Sequence, residues 1–506
     1  MAQRAEEVST VTPTRSSDQT PEGEPLARSV LIGAEMLNWS DLRPEDGRPA
    51  TGGAVAAALL DAVLTDADSV LIAGPHSLEL IEQIAGRVAA VDVLVRSAPD
   101  AEEIAAQLAE LPVRVFSGAL DRFGPDHGEH SYSLVVALDG LPRLVGPDTP
   151  VLTWTDALAL LRGRLAAGGR LLLAAANPFG IERLLLPDVT ATLPRDEAWP
   201  RAVAGNVEAP AGLPAVRAAV ESTGLSLSAV YSVYPELTAA TVALTDVKGP
   251  LAGVAVSRAV AGRFTGPTLT DPYRTAHDAV AAGLGNELAA GWFLVAGAAD
   301  LPEVFPTGAL PDGPGETVEE TLLTALRIDD SLALRQIVID YAEWLREQDA
   351  TTAAMATPDN LLSDGTTYRV LDKAADATTG TGDALVAGQL ARFVHRSLVA
   401  AVRQPWSVGG SARELTSRLA SITGITVSDE LWQAIAGSNE PVRPHGSAEQ
   451  LATIARLAHE LTEARTQVMW FEDNLQKLRR SRQYRIGGAV MNPWRVVYRR
   501  VRNKIR

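Results

Sequence analysis

Short apolar runs alternate with amphipathic helical segments from residue 68 onward, and this alternation constrains the fold more than any other feature of the sequence. Runs rich in Val, Leu and Ala occupy residues 69–74, 90–97, 113–118, 132–141 and 168–177. Because these runs lack polar alternation, they are typical of parallel strands that helices cover on both faces. The sequence therefore predicts an α/β protein with a doubly wound parallel sheet.

Segments with a helical period connect the predicted strands, over residues 77–88, 100–111 and 153–166. In a sheet of this kind, ligands bind beyond the carboxyl ends of the strands, at the point where the strand order reverses. The residues that directly follow the first four strands are therefore candidates for a binding site. They are Gly74, Pro75, His76, Arg96, Ser97, Gly118, Ala119, Leu120, Ala137, Leu138 and Asp139.

Three segments of this region resemble class I S-adenosylmethionine-dependent methyltransferases. "YSLVVALDGLPRL" (132–144) is similar to the segment around that family's fourth strand, and "LLRGRLAAGGRLLLAAANPFG" (160–180) is similar to the segment leading into the fifth. "STGLSLSAVYSVYP" (222–235) resembles the sixth and seventh strands. The resemblance implies a Rossmann-like domain over residues 31–245 with S-adenosylmethionine as its cofactor.

The resemblance also implies which residues contact the cofactor. Gly74 stands at the first position of the family's glycine-rich turn, but Pro75 and His76 follow where further glycines are usual. Glycine lets the backbone approach the cofactor, and proline removes one N–H donor. Arg96 and Ser97 end the second strand, where the family places an acidic residue for the ribose hydroxyls. The implied contacts are Gly74, Pro75, Arg96, Ser97, Gly118, Ala119, Leu120, Ala137 and Leu138.

His76 and Asp139 are the implied catalytic residues. The methyl group of the cofactor is already activated, so an enzyme of this family mainly aligns the acceptor with it. Transfer to a hydroxyl also needs a general base, which either side chain could provide from the end of its strand. Structural roles remain open as alternatives: a helix cap for His76, a solvated turn for Asp139 and an ion pair for Arg96.

Composition excludes several kinds of site. The chain has no cysteine, which excludes disulfides, thiolate metal sites and cysteine nucleophiles. The seven histidines show no metal-ligand spacing, and no metal site is predicted. Residues 1–30 are polar and lack the pattern of a signal peptide, so we expect a disordered leader and a cytoplasmic protein. The apolar window 279–299 is interrupted by Asn286 and Glu287, which favours a packed core helix over a membrane span.

Residues 246–440 are predicted to form a mainly helical α+β region. Within it, "TPDNLLSDGTTYRVLDKA" (357–374) has the pattern of a hairpin with an Asp-Gly turn. This stretch resembles the catalytic and metal loops of kinase-like phosphotransferases, with Asn360 and Asp372 in the magnesium-ligand positions. Met355 stands where that family has its catalytic aspartate. The resemblance implies a degenerate kinase-like region, and an ordinary hairpin is the alternative.

A heptad pattern marks residues 445–480 as a long, coiled-coil-like helix at the C-terminal end. Its apolar residues are spaced alternately four and three apart. Two arrangements are open, a homodimer and a helix that packs on its own domain. The apolar positions are Leu457, Leu461, Ala464, Val468, Phe471, Leu475 and Leu478.

The last residues carry a charge opposite to that of the rest of the chain. After Asp473 there are eleven Lys or Arg and no acidic residue; since they supply +11 of the net charge of −17, the remainder carries −28. Aromatic residues interrupt the basic tail (481–506), as is typical of segments that bind anionic membrane surfaces. Nucleic acid is a less favoured partner because the acidic remainder would repel it.

These patterns lead to two hypotheses about function. The first is a methyltransferase that acts on a sugar or lipid-linked glycan hydroxyl in cell-envelope polysaccharide assembly, at the inner face of the membrane. The tail segment "SRQYRIGGAV" (481–490) also resembles tails of bacterial glycosyltransferases and cell-surface polysaccharide enzymes. The second hypothesis is a non-catalytic scaffold that keeps the fold and recruits partners at the membrane surface.

Overall fold

The computed structural model describes most of the predicted Rossmann-like domain and helical region, and part of the predicted heptad helix. The described residues are 29–43, 48–129, 131–146, 148–186, 207–264, 268–298, 300–310, 314–372, 378, 380–399, 411–436, 457–458, 461–462, 464–466 and 468–471. The basic tail lies outside them, as does the predicted leader up to residue 28.

Ten strands form one large sheet. They are β1 (Ser29–Gly33), β2 (Ser69–Ala73), β3 (Ala90–Val95), β4 (Val113–Gly118), β5 (Tyr132–Ala137), β6 (Leu165–Ala176), β7 (Leu227–Tyr234), β8 (Val242–Leu244), β9 (Gly291–Ala296) and β10 (Val304–Phe305). The five strands predicted from the apolar runs are confirmed as β2 to β6.

Helices flank this sheet, and two of them form an insertion before β9. They are α1 (Gly53–Val63), α2 (Leu78–Ala85), α3 (Ala98–Gln107), α4 (Trp154–Arg162), α5 (Ile181–Leu185), α6 (Leu213–Ser222), α7 (Gly249–Arg263) and α8 (Pro272–Ala281). The last two, α7 and α8, make up the insertion, between β8 and β9.

The strand order is β1-β4-β3-β2-β5-β6-β9-β7-β8-β10. All neighbours from β1 to β6 are parallel, whereas β9 runs antiparallel to both β6 and β7. The order reverses between β2 and β5, because β3 and β4 extend to one side and β6 to the other. The sheet is therefore doubly wound, as predicted, and its ligand crevice is expected beyond the ends of β2 and β5.

Alternate residues of each parallel strand pack on opposite faces. Val70 and Ile72 of β2 lie in a core with α1, α2 and α3, whereas Leu71 and Ala73 lie in a second core with α4 and α6. Both faces are thus buried, which explains the continuous apolar runs.

Strand β9 corrects three sequence predictions. The window 279–299, predicted as a core helix, contains the end of α8, a turn and β9. The segment 222–235 supplies only β7, and β9 is the second strand that was expected there. The domain boundary at residue 245 therefore falls inside the sheet. Periodicity could not distinguish a fully buried strand from a buried helix, since both have apolar residues on all sides.

A mainly helical region follows, as predicted. It contains a three-stranded sheet of β11 (Glu316–Thr317), β12 (Leu361–Ser363) and β13 (Tyr368–Val370), in which β12 and β13 form the expected hairpin. Its helices are α9 (Val318–Arg327), α10 (Ser331–Glu347), α11 (Ala350–Met355), α12 (Gly382–Val399), α13 (Ala412–Ile422) and α14 (Asp429–Ala436). No helix in the described part of the chain is both long enough and apolar enough to cross a membrane.

Buried charges join the helical region to the insertion. Arg274 of α8 pairs with Glu320 of α9, and Arg396 of α12 pairs with Glu319 and lies 4.3 Å above the ring of Tyr273. Burial raises the pKa of Glu319, although the charge of Arg396 opposes this effect. These contacts fix the helical region against α8.

Substitution of Gly118 by alanine tests the contact between β4 and the end of β1. A Cβ atom at this position would overlap Ile32 Cγ1 and would lie 2.5 Å from the Gly33 carbonyl oxygen. We expect Gly118→Ala to lower the free energy of unfolding by about 1–3 kcal/mol in urea titrations, because the strand must shift. Gly124→Ala is the matched control, since the methyl group that it adds would have no heavy atom within 4 Å. Equal stability of the two variants would contradict the β1–β4 contact.

Candidate cofactor edge of the sheet

The crevice at the point of strand reversal is bounded by the turn after β2 and the turn after β5. Gly74 follows β2 with a φ of +94°, a conformation that favours glycine. A methyl group on Gly74 would contact Asp139 Cβ and Leu144 Cδ2, both at 3.7 Å. These are ordinary van der Waals distances, so the turn after β2 lies beside side chains from the segment after β5.

His76 joins the two turns through both nitrogens of its ring. Its Nδ1 lies 3.0 Å from the Gly74 carbonyl oxygen, and its Nε2 lies 3.1 Å from the backbone nitrogen of Leu138. The Leu138 N–H must donate to Nε2, so we assign a neutral ring whose Nδ1–H donates to Gly74. Burial lowers the pKa of His76, in agreement with a neutral ring. In this arrangement His76 joins the turns after two strands. Neither of its ring nitrogens is free to face a substrate hydroxyl that would accept a methyl group.

Asp139 is held in a buried ion pair with Arg143. Arg143 Nε donates to Asp139 Oδ2 over 2.7 Å, and its Nη2 donates to Oδ1. Thr51 Oγ1 donates to Oδ1 over 3.0 Å, and Arg48 Nη2 donates to the Asp139 carbonyl oxygen over 3.1 Å. Burial alone would raise the pKa of Asp139, but the charges of Arg143 and Arg48 outweigh it and lower the pKa. Asp139 is an ionised carboxylate with its oxygens already bound.

Arg96 forms a second buried ion pair at the end of β3. Its Nε and Nη2 donate to the two carboxylate oxygens of Asp41, both over 2.7 Å, and its Nη1 donates to the Val145 carbonyl oxygen over 2.9 Å. Arg96 is 3% exposed and Asp41 is 2% exposed. A guanidinium therefore lies where the methyltransferase family has a ribose-binding acid, and the carboxylate that neutralises it comes from this chain.

The segment that precedes α1 crosses this edge of the sheet, and we call residues 34–43 and 48–52 the cover segment. Met36 N–H donates to the Arg96 carbonyl oxygen over 2.7 Å. Thr51 N–H donates to the Pro75 carbonyl over 3.2 Å, and Gly52 N–H donates to that of Thr238 over 3.0 Å. The cover segment thus bonds to the turns after β2, β3 and β7.

The structure brings the predicted site residues together at one edge, but under this cover. Ser97 caps α3 by accepting a hydrogen bond from Asp100 N–H, and Ala119 N–H donates to the Gly33 carbonyl oxygen. All eleven candidates are buried: Gly74, Pro75, His76, Arg96, Ser97, Gly118, Ala119, Leu120, Ala137, Leu138 and Asp139.

In the described arrangement, the polar side chains expected to contact S-adenosylmethionine are bound within the chain. Asp139 and Leu144 lie beside the turn at Gly74, which the cofactor's methionine portion would approach. Its ribose would need an acceptor at Arg96, whose guanidinium is already bound to Asp41 and Val145. The polar side chains of His76, Arg96 and Asp139 thus have partners within the chain. Three buried atoms of the same edge have no hydrogen-bond partner among the described residues, namely Glu35 Oε2, Ser117 Oγ and Asp121 Oδ1.

Sequence reasoning missed the partners that close the edge, namely Asp41, Arg48, Thr51 and Arg143. The cover segment has no helical or strand period that would place it, and its hydrogen bonds join residues far apart in sequence. Arg143 is the exception, because it lies four residues after Asp139 in the segment that resembles the methyltransferase family. An Asp and an Arg at this spacing were the available signal for a pair.

Asn360, predicted at a magnesium-ligand position, has a structural role in the hairpin, and its bonds to Asp372 involve the backbone of that residue. Asn360 Nδ2 donates to the carbonyl oxygens of Met355 and Asp372, over 2.9 and 2.8 Å. Its Oδ1 accepts from Arg258 Nη2 over 2.8 Å and from Asp372 N–H over 3.1 Å. The amide of Asn360 thus ties the two ends of the hairpin together, and its oxygen is not open to a metal ion.

A cavity of about 730 Å³ lies beside the covered edge, between α7, the turn from β7 to β8 and the end of the hairpin. Ala239 lines it and also pairs with Gly52 of the cover segment. Val254 and Leu371 contribute apolar surface. Its charged lining residues are Glu236, Arg258, Arg263 and Asp372.

Comparison with known proteins finds methyltransferases among solved structures; no protein-family model and no curated protein matches the sequence. N-methyltransferase NodS from Bradyrhizobium japonicum WM9 is 17% identical, over 34% of this chain and 79% of that chain, with a TM-score of 0.22. Geranyl diphosphate C-methyltransferase from Streptomyces coelicolor A3(2), solved with Mg²⁺, geranyl diphosphate and S-adenosyl-L-homocysteine, is 13% identical over 48% and 77%, with a TM-score of 0.28.

A structure of geranyl diphosphate methyltransferase with SAM is 14% identical, over 48% of this chain and 83% of that chain, with a TM-score of 0.28. These values are too low to transfer an activity or a substrate. The sheet order, with antiparallel β9 between β6 and β7, is the Rossmann-like fold of class I methyltransferases. The fold predicted by resemblance is therefore confirmed.

Removal of Asp41 tests whether the edge is closed. In Asp41→Ala, Arg96 loses its bidentate partner while still buried, so we expect the free energy of unfolding to fall by about 3–5 kcal/mol in urea titrations. Arg43→Ala is the matched control, because its pair with Glu103 is exposed and is expected to contribute less than about 1 kcal/mol. An equally small effect for both variants would mean that Arg96 is solvated and the edge open.

Proposed function

We propose that this chain is a non-catalytic scaffold built on a methyltransferase fold, which recruits partners at the surface of a membrane. The observation that carries the proposal is the covered edge, where the buried pairs Asp41–Arg96 and Arg143–Asp139 engage the side chains at the strand ends that would meet a cofactor. The fold is retained because its two cores do not depend on a ligand. The catalytic candidates His76 and Asp139 form hydrogen bonds that hold the same covered edge together.

Linkage explains why a satisfied cover opposes binding. A ligand that needs the uncovered edge binds only the fraction of molecules in which the cover segment has left. Each 1.4 kcal/mol by which the closed state is favoured weakens the apparent affinity about tenfold. Buried, paired guanidinium and carboxylate groups favour the closed state. When the cover segment leaves, these groups lose their partners and must find new ones.

The tail supports the membrane part of this proposal. Residues 477–506, which include the basic tail, contain eleven basic and no acidic residues. Each cation contributes about 1 kcal/mol near an anionic surface. Aromatic residues within the tail suit the headgroup layer. The acidic remainder would be repelled by the same surface, so the tail would hold the folded domains at a distance from it.

A methyltransferase acting on a sugar or lipid-linked glycan hydroxyl is the second candidate. The fold favours it, since structures of this fold have been solved with SAM and with S-adenosyl-L-homocysteine. The cavity beside β7 also favours it, because its volume and mixed lining are those of small-molecule sites. This candidate requires the cover segment to leave the edge before the cofactor enters.

Isothermal titration of the full chain with S-adenosylmethionine separates the two candidates. If the chain is a scaffold, we expect no binding with a Kd below about 1 mM. This Kd corresponds to a binding free energy of about −4 kcal/mol. The Streptomyces coelicolor geranyl diphosphate C-methyltransferase, titrated alongside, shows that the ligand is intact. Saturable binding to the wild-type chain in this range would overturn the scaffold proposal and favour the enzyme.

Vesicle flotation tests the role of the tail. We expect the full chain to float with vesicles that contain phosphatidylglycerol, and a chain lacking residues 477–506 to remain at the bottom of the gradient. Flotation should decrease as salt is raised, because ions screen the attraction. Vesicles of phosphatidylcholine alone are the neutral control. Equal flotation of both chains would remove the membrane from the proposal.

A further inference from the structure

The helix near the C-terminal end has an apolar face that the described part of the chain leaves exposed. Residues 457–458, 461–462, 464–466 and 468–471 are helical. Thr462 Oγ1 donates to the Ala458 carbonyl oxygen over 2.8 Å, and Thr466 Oγ1 donates to that of Thr462 over 2.9 Å, as expected along a helix. We propose that this helix pairs with the same helix of a second copy of the chain as a two-stranded coiled coil.

The apolar seam is exposed on the helix rather than packed. Leu457, Leu461, Val468 and Phe471 are each between 51% and 58% exposed. A helix packed on its own domain would bury these side chains, so of the two arrangements left open by the sequence the described residues favour pairing. An isolated helix of a few turns is marginal in water, and burial of such a seam is what stabilises it. The proposal rests on the scaffold function and names its partner.

The charges that flank the seam suit a second copy of the same helix. With Leu461 and Val468 at a positions and Leu457, Ala464 and Phe471 at d positions, Arg465 occupies an e position. The sequence spacing predicts a g position for Glu460 and an e position for Glu472, which both lie outside the described residues. In a parallel pair Arg465 meets Glu460 of the other copy, and in an antiparallel pair it meets Glu472. The seam is therefore flanked by opposite charges in either orientation.

Sedimentation equilibrium measures the association directly. We expect the full chain to have twice its mass of 53.4 kDa, and Leu461→Asp with Val468→Asp to be monomeric at the same concentration. Thr466→Asp is the matched control: it adds a charge at an exposed position away from the seam and should remain dimeric. Urea titration should give the same stability for the main sheet in all three proteins, since these positions contact neither of its cores.

Charge reversal tests the flanking pairs. Arg465→Glu should weaken association, because it places like charges beside the seam in either orientation. Restoration by Glu460→Arg identifies a parallel pair, and restoration by Glu472→Arg identifies an antiparallel pair. A wild-type chain that is monomeric, or a seam variant that remains dimeric, would overturn the proposal.

Failure of this inference is distinguishable from failure of the scaffold function. A dimer that binds S-adenosylmethionine would overturn the scaffold and leave the pairing intact. A monomer that does not bind the cofactor, but floats with anionic vesicles, would overturn the pairing alone.

Discussion

Two buried ion pairs, Asp41–Arg96 and Arg143–Asp139, hold the edge of the sheet on which the remaining features depend. Arg143 Nη1 also donates to the Asp41 carbonyl oxygen over 3.2 Å, so the pairs form one connected layer. Arginine suits this position because its planar fork satisfies a carboxylate and several carbonyl oxygens at once. Removing one member would leave the others charged and buried, which explains how a chain segment without regular structure can remain fixed over a sheet.

The parallel half of the fold could be predicted from the sequence because its signals are local. Each apolar run and the helix after it lie within about thirty residues, as the βαβ unit requires. Strand β1 was missed because its apolar run is only three residues long, and none of its five residues is fully buried in the structure. Strand β9 was missed for the opposite reason: it is buried along its whole length, and its partners β6 and β7 lie far from it in sequence.

The position of the site could be predicted from the sequence, but whether this edge is open or covered could not. Topology alone places Gly74, His76, Arg96 and Asp139 at one edge, and the structure confirms this grouping. Whether that edge is open depends on Asp41 and Thr51, which contact Arg96 and Asp139 across 55 and 88 residues of sequence. No local pattern encodes such contacts. The altered glycine turn indicated a change at the cofactor position, and in the structure Asp139 and Leu144 lie beside this turn.

Strand β9 has a consequence for how the chain is made. Strand β6 ends at Ala176, but its neighbour in the sheet begins only at Gly291, after β7, β8 and the insertion. During synthesis, the backbone groups on the β9 side of β6 therefore stay unpaired until the insertion has left the ribosome. An open strand edge of this kind is a site for association with other chains. Completion of the central sheet, and protection of the nascent chain, thus depend on a segment that is translated late.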